Sequence, residues 1–230
     1  MTQVVFLCRA HGWLSFHHTL PFRPHHDPHH IGLDPLRVIN EDRVQPGQGL
    51  GTHSHRDMEI ISYVLSGALA HKDSMGTGSV LHYGDVQRMS AGSGVTHGEF
   101  NHSREEPVHF LQIWLLPERN GIAPSYEEKN FSTESKRNQL RLITSPDAAD
   151  GSLPIQRNVR IFASILDGAE RLEYSLGQNR GAYVQVARGS LIVNGQSLEQ
   201  GDAIQLSGES AVTLSDDKDA EILLFDLPLQ

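Results

Sequence analysis

Two parts of the chain echo each other, and this internal repeat constrains the fold more than any other feature. Tyr63-Val-Leu-Ser-Gly67-Ala-Leu resembles Val184-Gln-Val-Ala-Arg-Gly189-Ser-Leu, and Tyr83-Gly-Asp-Val-Gln-Arg-Met-Ser90 resembles Gln200-Gly-Asp-Ala-Ile-Gln-Leu-Ser207. The matching glycines lie 189 − 67 = 122 and 201 − 84 = 117 positions apart, so two units fill the 230 residues. The expected division runs through the polar stretch Glu127–Asn138, giving units 1–128 and 129–230. Within each unit the pattern is that of strands. Glu59–Leu65, Ser79–His82, Val86–Ser90 and Val108–Leu116 are apolar or alternating runs, separated by Ser66-Gly67, Asp73-Ser-Met-Gly76 and Tyr83-Gly-Asp85. Asn194-Gly195 is a strong hairpin signal. Helical periodicity is confined to a short segment near Glu134–Asn138. The expected fold is all-β, two tandem antiparallel barrels with little helix.

Charge and cysteine usage narrow the function classes. The net charge is −9, spread evenly over both halves, and no basic block exists. Direct nucleic-acid binding by phosphate neutralisation is therefore not expected, and a macromolecular partner would be another protein. No run approaches the roughly eighteen apolar residues of a membrane span, and the opening Met-Thr-Gln-Val-Val-Phe-Leu-Cys does not have the form of a secretory signal. Cys8 is the single cysteine, which excludes an internal disulfide and a Cys-based zinc finger. A reducing, cytoplasmic setting is expected.

The histidines are distributed unevenly. All fourteen lie between His11 and His109, and residues 110–230 contain none. Two constellations stand out among them: Gly47-Gln-Gly-Leu-Gly-Thr-His53-Ser-His55, and Thr96-His97-Gly-Glu99-Phe-Asn101. Each offers two metal-capable side chains at i and i+2, which a strand turns to one face about 6.7 Å apart. If the two strands are neighbours in a barrel, His53, His55, His97 and Glu99 form a three-nitrogen, one-oxygen set. Such a set suits a borderline divalent metal and leaves coordination positions open for chemistry. The repeat supplies a control: the positions matching His53, His55 and His97 are Ser175, Gly177 and Leu214. The second unit keeps the scaffold signals and lacks these ligands.

Gly47-x5-His53-x-His55, Gly84-Asp85 and His97-x3-Asn101 resemble the paired motifs of the cupin superfamily. His18-Thr-Leu-Pro-Phe, Leu36-Arg-Val-Ile-Asn-Glu-Asp42, His53-Ser-His-Arg-Asp-Met-Glu-Ile60, Asp73-Ser-Met-Gly76 and Met89-Ser-Ala-Gly92 resemble, more closely, the pirin family. The likeness is dense over residues 11–120 and thinner afterwards. It implies a bicupin of jelly-roll type, with iron held in the first barrel by His53, His55, His97 and Glu99. It also implies a quercetin 2,3-dioxygenase, which opens a flavonol ring with O2 and releases CO, or else transcriptional co-regulation through metal-dependent protein contacts. The chain departs from the family pattern at Ile60, where cupins place a glutamate (Glu59 is adjacent), and at His25-His26, where pirins carry an aromatic pair.

The expected activity is thus ring cleavage of a flavonol-like, polyphenolic substrate with O2. The expected cofactor is Fe(II), with Mn, Co, Ni, Cu and Zn open to the same donors, and Glu99 is the expected base. The alternative is an iron-dependent, redox-sensitive regulator that binds a protein partner without turnover; a third reading is another cupin enzyme, an isomerase or thiol dioxygenase. Glu59 is expected either to orient an imidazole or to pair with a buried cation. His109 is expected in the core, bonded to backbone. His11, His17, His18, His71, His82 and His102 are expected near turns and solvated, and Pro24–His30 as a surface loop or a lid over the pocket. Trp13, Trp114 and Cys8 are expected to pack the interior, while Gly49, Gly51, Gly92 and Gly94 shape backbone beside the ligand strands.

Overall fold

A computed structural model describes residues 35–168 and 171–229, together with the backbone of strands Gln3–Val4, Cys8–His11 and Leu14–His18. The expectations for the Pro24–His30 loop, Trp13 and the side chains of Cys8, His11, His17 and His18 fall outside the described residues.

Among the described residues the chain is nearly all strand. One helical turn, Thr133–Lys136, is capped by Ser132, whose side chain accepts from Ser135 N, and one 3-10 turn spans Ala149–Gly151. No helix among them is long and apolar enough to cross a membrane. The strands form three sheets of nine, four and seven. Among the described strands pairing is antiparallel except where Arg141–Ser145 meets Leu153–Pro154, and an isolated parallel bridge joins Arg137 to Ile165. Ser125–Asn130 crosses position 128 while paired to Asp85–Ser90. In the other direction, Gln3–Val4 joins Ala203–Leu206 in the nine-stranded sheet.

The turn signals act as their chemistry requires. Asn194 (φ 45°) and Gly195 (φ 81°) both take left-handed backbone, closing Arg180–Val193 onto Gln196–Glu199 with a two-residue loop. Glu59–Ser66 and Val108–Leu115 are apolar on both faces because both faces are covered. Ile61, Tyr63, Leu65, Leu111, Ile113 and Leu115 pack into a core shared with Ile143, Ile161, Tyr183, Leu223 and Phe225 of the second unit. The alternate residues point into the first barrel. Val64 and Phe110 join one apolar cluster there with Leu69 and Leu81. Ile60 joins another with Met89, Ala91 and Val95, against which Trp114 packs. Between these two clusters, on the same faces, come Ser62 and Gln112, both buried polar residues. In the second barrel Val184, Val186, Val212, Leu214, Ile222 and Leu224 fill the interior, and Ser164 is the buried polar residue opposite Ile222.

Candidate metal centre

The four-stranded sheet runs Gly49–His55, Val95–Asn101, Ala68–Asp73, Gly78–His82, with the first as an edge. His97 stands opposite His53, and Val95 opposite His55. The register shifts before Glu99, which meets Leu50, so the Gly49–His55 strand carries one extra residue at a bulge. Gly49 allows the close approach: a Cβ there would lie 2.5 Å from Glu99 O and 2.6 Å from Phe100 Cα.

This pairing gathers the three histidines. Their ring centroids lie 4.7 Å (His53–His55), 4.5 Å (His53–His97) and 4.9 Å (His55–His97) apart, and one nitrogen from each lies within 4.8 Å of the others. His53 Nε2 and His97 Nε2 approach to 3.1 Å, while His53 Nδ1 faces Gly51 O at 2.8 Å. Two ring nitrogens that close share one proton or turn both lone pairs to a cation. His55 Nε2 and His97 Nδ1 are buried with no partner. Burial, and then His53, lower the pKa of His55 to about 4. Burial, then His53, His55 and His71, lower that of His97 to about 3. Both rings are neutral at neutral pH, the form that binds metals. An orphaned nitrogen on His55, with one ligand atom each from His53 and His97 within 4.8 Å, fits a nitrogen-preferring divalent cation.

Glu99 lies deeper, 2% exposed. Gln112 Nε2 donates to its Oε2 at 2.5 Å and Ser62 Oγ to its Oε1 at 3.3 Å. Burial pushes its pKa up, against those hydrogen bonds and the nearby His71 and His53. Its carboxyl groups within the same 4.8 Å limit with His71 and His97 rather than with the outer pair. The arrangement is graded: His53 and His55 are partly exposed, His97 and Glu99 are buried.

Three expectations, for His71, His109 and Trp114, are corrected, and of the two for Glu59 the imidazole-orienting one falls away. His71 is not solvated: it is 3% exposed, stacked on Tyr126 at 4.9 Å, with Nε2 3.3 Å from Asp73 Oδ2. Its burial comes from a distant strand, Ser125–Asn130. His109 is in the core but bonds a side chain, Glu41 Oε1 at 2.9 Å, and not backbone. Trp114 only partly packs the interior, since it also stands edge-on to His55 at 5.0 Å and donates to Gln112 Oε1 at 3.1 Å. Glu59 orients no imidazole: Oε2 accepts from Ser90 Oγ at 2.9 Å and Gln156 N at 3.2 Å, with Arg88 nearby, and Oε1 has no partner. His82 and His102 are exposed as expected. Ser62, His71, Gln112 and Trp114 were missing from the expected site. Gln112 and Trp114 carried a signal, a polar and an amphipathic residue two apart inside an apolar run.

Residues 2–115 match the family described as pirin, and residues 142–227 match the quercetinase C-terminal cupin domain. A quercetin 2,3-dioxygenase of Escherichia coli (strain K12) is 41% identical, over 95% of this chain and 93% of its own. The chain belongs to the pirin family. A pirin-like protein of Caulobacter vibrioides is 38% identical to this pirin, over 94% of this chain and 93% of the relative. Among solved structures, the E. coli pirin YhhW in complex with nickel(II) superposes with a TM-score of 0.92 at 38% identity, each chain fully covered. The fold is accordingly the two-domain, cupin-like pirin fold. In the second unit of this pirin Ser175 pairs with Ala211 and Leu214 with Leu172, so no histidine pair stands across these strands as His53 and His97 do in the first. Leu214 is packed in an apolar cluster.

Proposed function

We propose that this pirin is a metal-dependent dioxygenase that opens the ring of a quercetin-like flavonol with O2 and releases CO. The observation that carries the reading is the convergence of His53, His55 and His97, with ligand atoms within 4.8 Å, in a chain whose relatives are named quercetin 2,3-dioxygenases. His53, His55, His97 and Glu99 would hold the ion, Fe(II) in the first instance. Such an ion, when bound, supplies Lewis acidity and redox reactivity toward O2.

The chain's own groups supply the rest. The partly exposed His53–His55 side is where a substrate would enter, and Trp114 beside His55 offers a flat apolar surface to an aromatic ring. Glu99 would take the substrate's hydroxyl proton. Burial makes its carboxylate a stronger base than one in water, and Gln112 and Ser62 hold it in place. The apolar clusters on either side of Ser62 and Gln112 keep bulk water from the buried end.

The test is to add quercetin and O2 to iron-loaded protein and follow flavonol absorbance and CO. Stoichiometric CO that stops on chelation is the expected result. Tight iron binding with no turnover across flavonoid and thiol panels would overturn it in favour of a regulator.

A further inference from the structure

We propose that the centre has a second, inner ion position held by His71, His97 and Glu99, sharing His97 and Glu99 with the outer set of His53, His55, His97 and Glu99. The proposal rests on the reading of the cluster as a metal centre and adds His71 to it. In the sheet, Glu99 stands opposite His71 and His97 opposite Asp73, so the inner groups occupy neighbouring strands at matched register. One ligand atom from each of His71, His97 and Glu99 lies within 4.8 Å of the others. The three residues are 3%, 1% and 2% exposed, so no water competes freely for those atoms.

His71 is set up for the role. Asp73 Oδ1 accepts from Met75 N at 2.9 Å and Thr77 N at 3.0 Å, which pins the carboxylate to the turn. Its Oδ2 faces His71 Nε2 at 3.3 Å. A proton on Nε2 satisfies that contact and leaves the lone pair on Nδ1, the arrangement by which a carboxylate orients a metal-binding imidazole. His71 Nδ1 and His97 Nδ1 are buried without partners. Tyr126, held by Ser79 at 2.6 Å and Glu128 at 2.5 Å, stacks on the His71 ring and fixes its plane. Two nitrogens and a carboxylate suit the same first-row divalent ions as the outer triad. The two positions share one carboxylate ligand, and neutral imidazoles carry no charge, so two neighbouring dications are not offset in a dry site and one ion occupies either position at a time. The outer position lies on the partly exposed side and the inner one at the buried end.

Cobalt(II) titrated into the full metal-free chain tests this. The expected result is one cobalt per chain and four contact-shifted imidazole N–H resonances in the wild type. His71→Gln should keep one cobalt with an altered visible spectrum. His53→Ala should keep one with affinity reduced at least ten-fold, the ion resting on the inner set. Three contact-shifted imidazoles in the wild type would overturn the proposal without needing a variant. So would a folded His71→Gln with wild-type affinity and spectrum. A wild type that binds no cobalt would overturn the metal reading itself, and the inner position with it.

Discussion

Gln112 connects the buried carboxyl to the half-buried aromatic: Nε2 donates to Glu99 at 2.5 Å, and Oε1 accepts from Trp114 at 3.1 Å. Gln112→Ala leaves Glu99 with one long hydrogen bond and frees its rotamer. Metal affinity should fall about 10–100-fold, read by competition with a chromophoric chelator; unchanged affinity would contradict the orienting role. Asp42 shows another effect of burial. Burial, and then Glu99 and Glu41, push its carboxyl from 3.8 up to about 7. The folded state therefore keeps a proton that the unfolded chain releases near pH 4. The stabilisation is complete below that pH and is lost as pH rises toward 7, a swing on the order of 4 kcal/mol. Asp42→Asn should flatten this part of the pH–stability curve of the metal-free protein, measured by urea unfolding; equal slopes in the two proteins would contradict it. The three imidazoles were legible in the sequence because strand parity fixes the face of residues two apart, and because the second repeat carries Ser175, Gly177 and Leu214 at the matching positions. His71 was not legible. Its neighbours Lys72 and Asp73 look like the start of an exposed turn, and it is buried by residues distant in sequence, Tyr126 stacked on its ring and His97 beside it.

The strand pair Gly49–His55 and Val95–Asn101 is the element that makes the centre. The extra residue of the Gly49–His55 strand lets His53 stand opposite His97 while Leu50 meets Glu99, and the unbroken Val95–Asn101 strand keeps His97 and Glu99 two apart on one face. Gly49→Ala places a methyl against Glu99 O and Phe100 and should prise the strands apart. The expected cost is about 1–3 kcal/mol together with loss of metal stoichiometry, seen by thermal melting and elemental analysis of the same sample. A variant as stable and as metal-rich as wild type would contradict the close-approach argument. Strand positions and turns were readable because Gly, Asn and Asp mark left-handed backbone, as at Asn194-Gly195. The bulge was not, because its extra residue falls within Leu50-Gly-Thr-His53, where too few apolar side chains stand to show the break in alternation.

Across the molecule, the two units behave as one body. Their sheets share a core, and a buried polar cluster crosses the same interface. Lys136 Nζ donates to Tyr63 OH at 2.8 Å, Tyr63 OH donates to Glu221 Oε1 at 2.5 Å, and Tyr83 OH reaches Glu221 Oε2 at 3.3 Å. Arg188 completes the cluster, bonding the carbonyl of Leu65 and standing 3.8 Å from Glu221. Burial lowers the Lys136 pKa, and Glu221 opposes that shift. Glu221→Ala strands the fully buried ammonium and should cost about 3–5 kcal/mol, while unfolding stays a single transition. Two separate transitions in the wild type would contradict the shared core. The sequence repeat foretold the second unit, yet it did not foretell that Glu59–Ser66 and Val108–Leu115 serve both cores. A run that is apolar on both faces is a sign of double burial and does not name the second partner.

The convergence of His53, His55 and His97 on one cation is tested most directly by elemental analysis of protein purified without a nickel column, wild type beside a folded His97→Ala. The account predicts about one transition ion per wild-type chain and under a tenth of that in the variant. Wild-type protein free of transition metal, or a variant that retains its full complement, would contradict it.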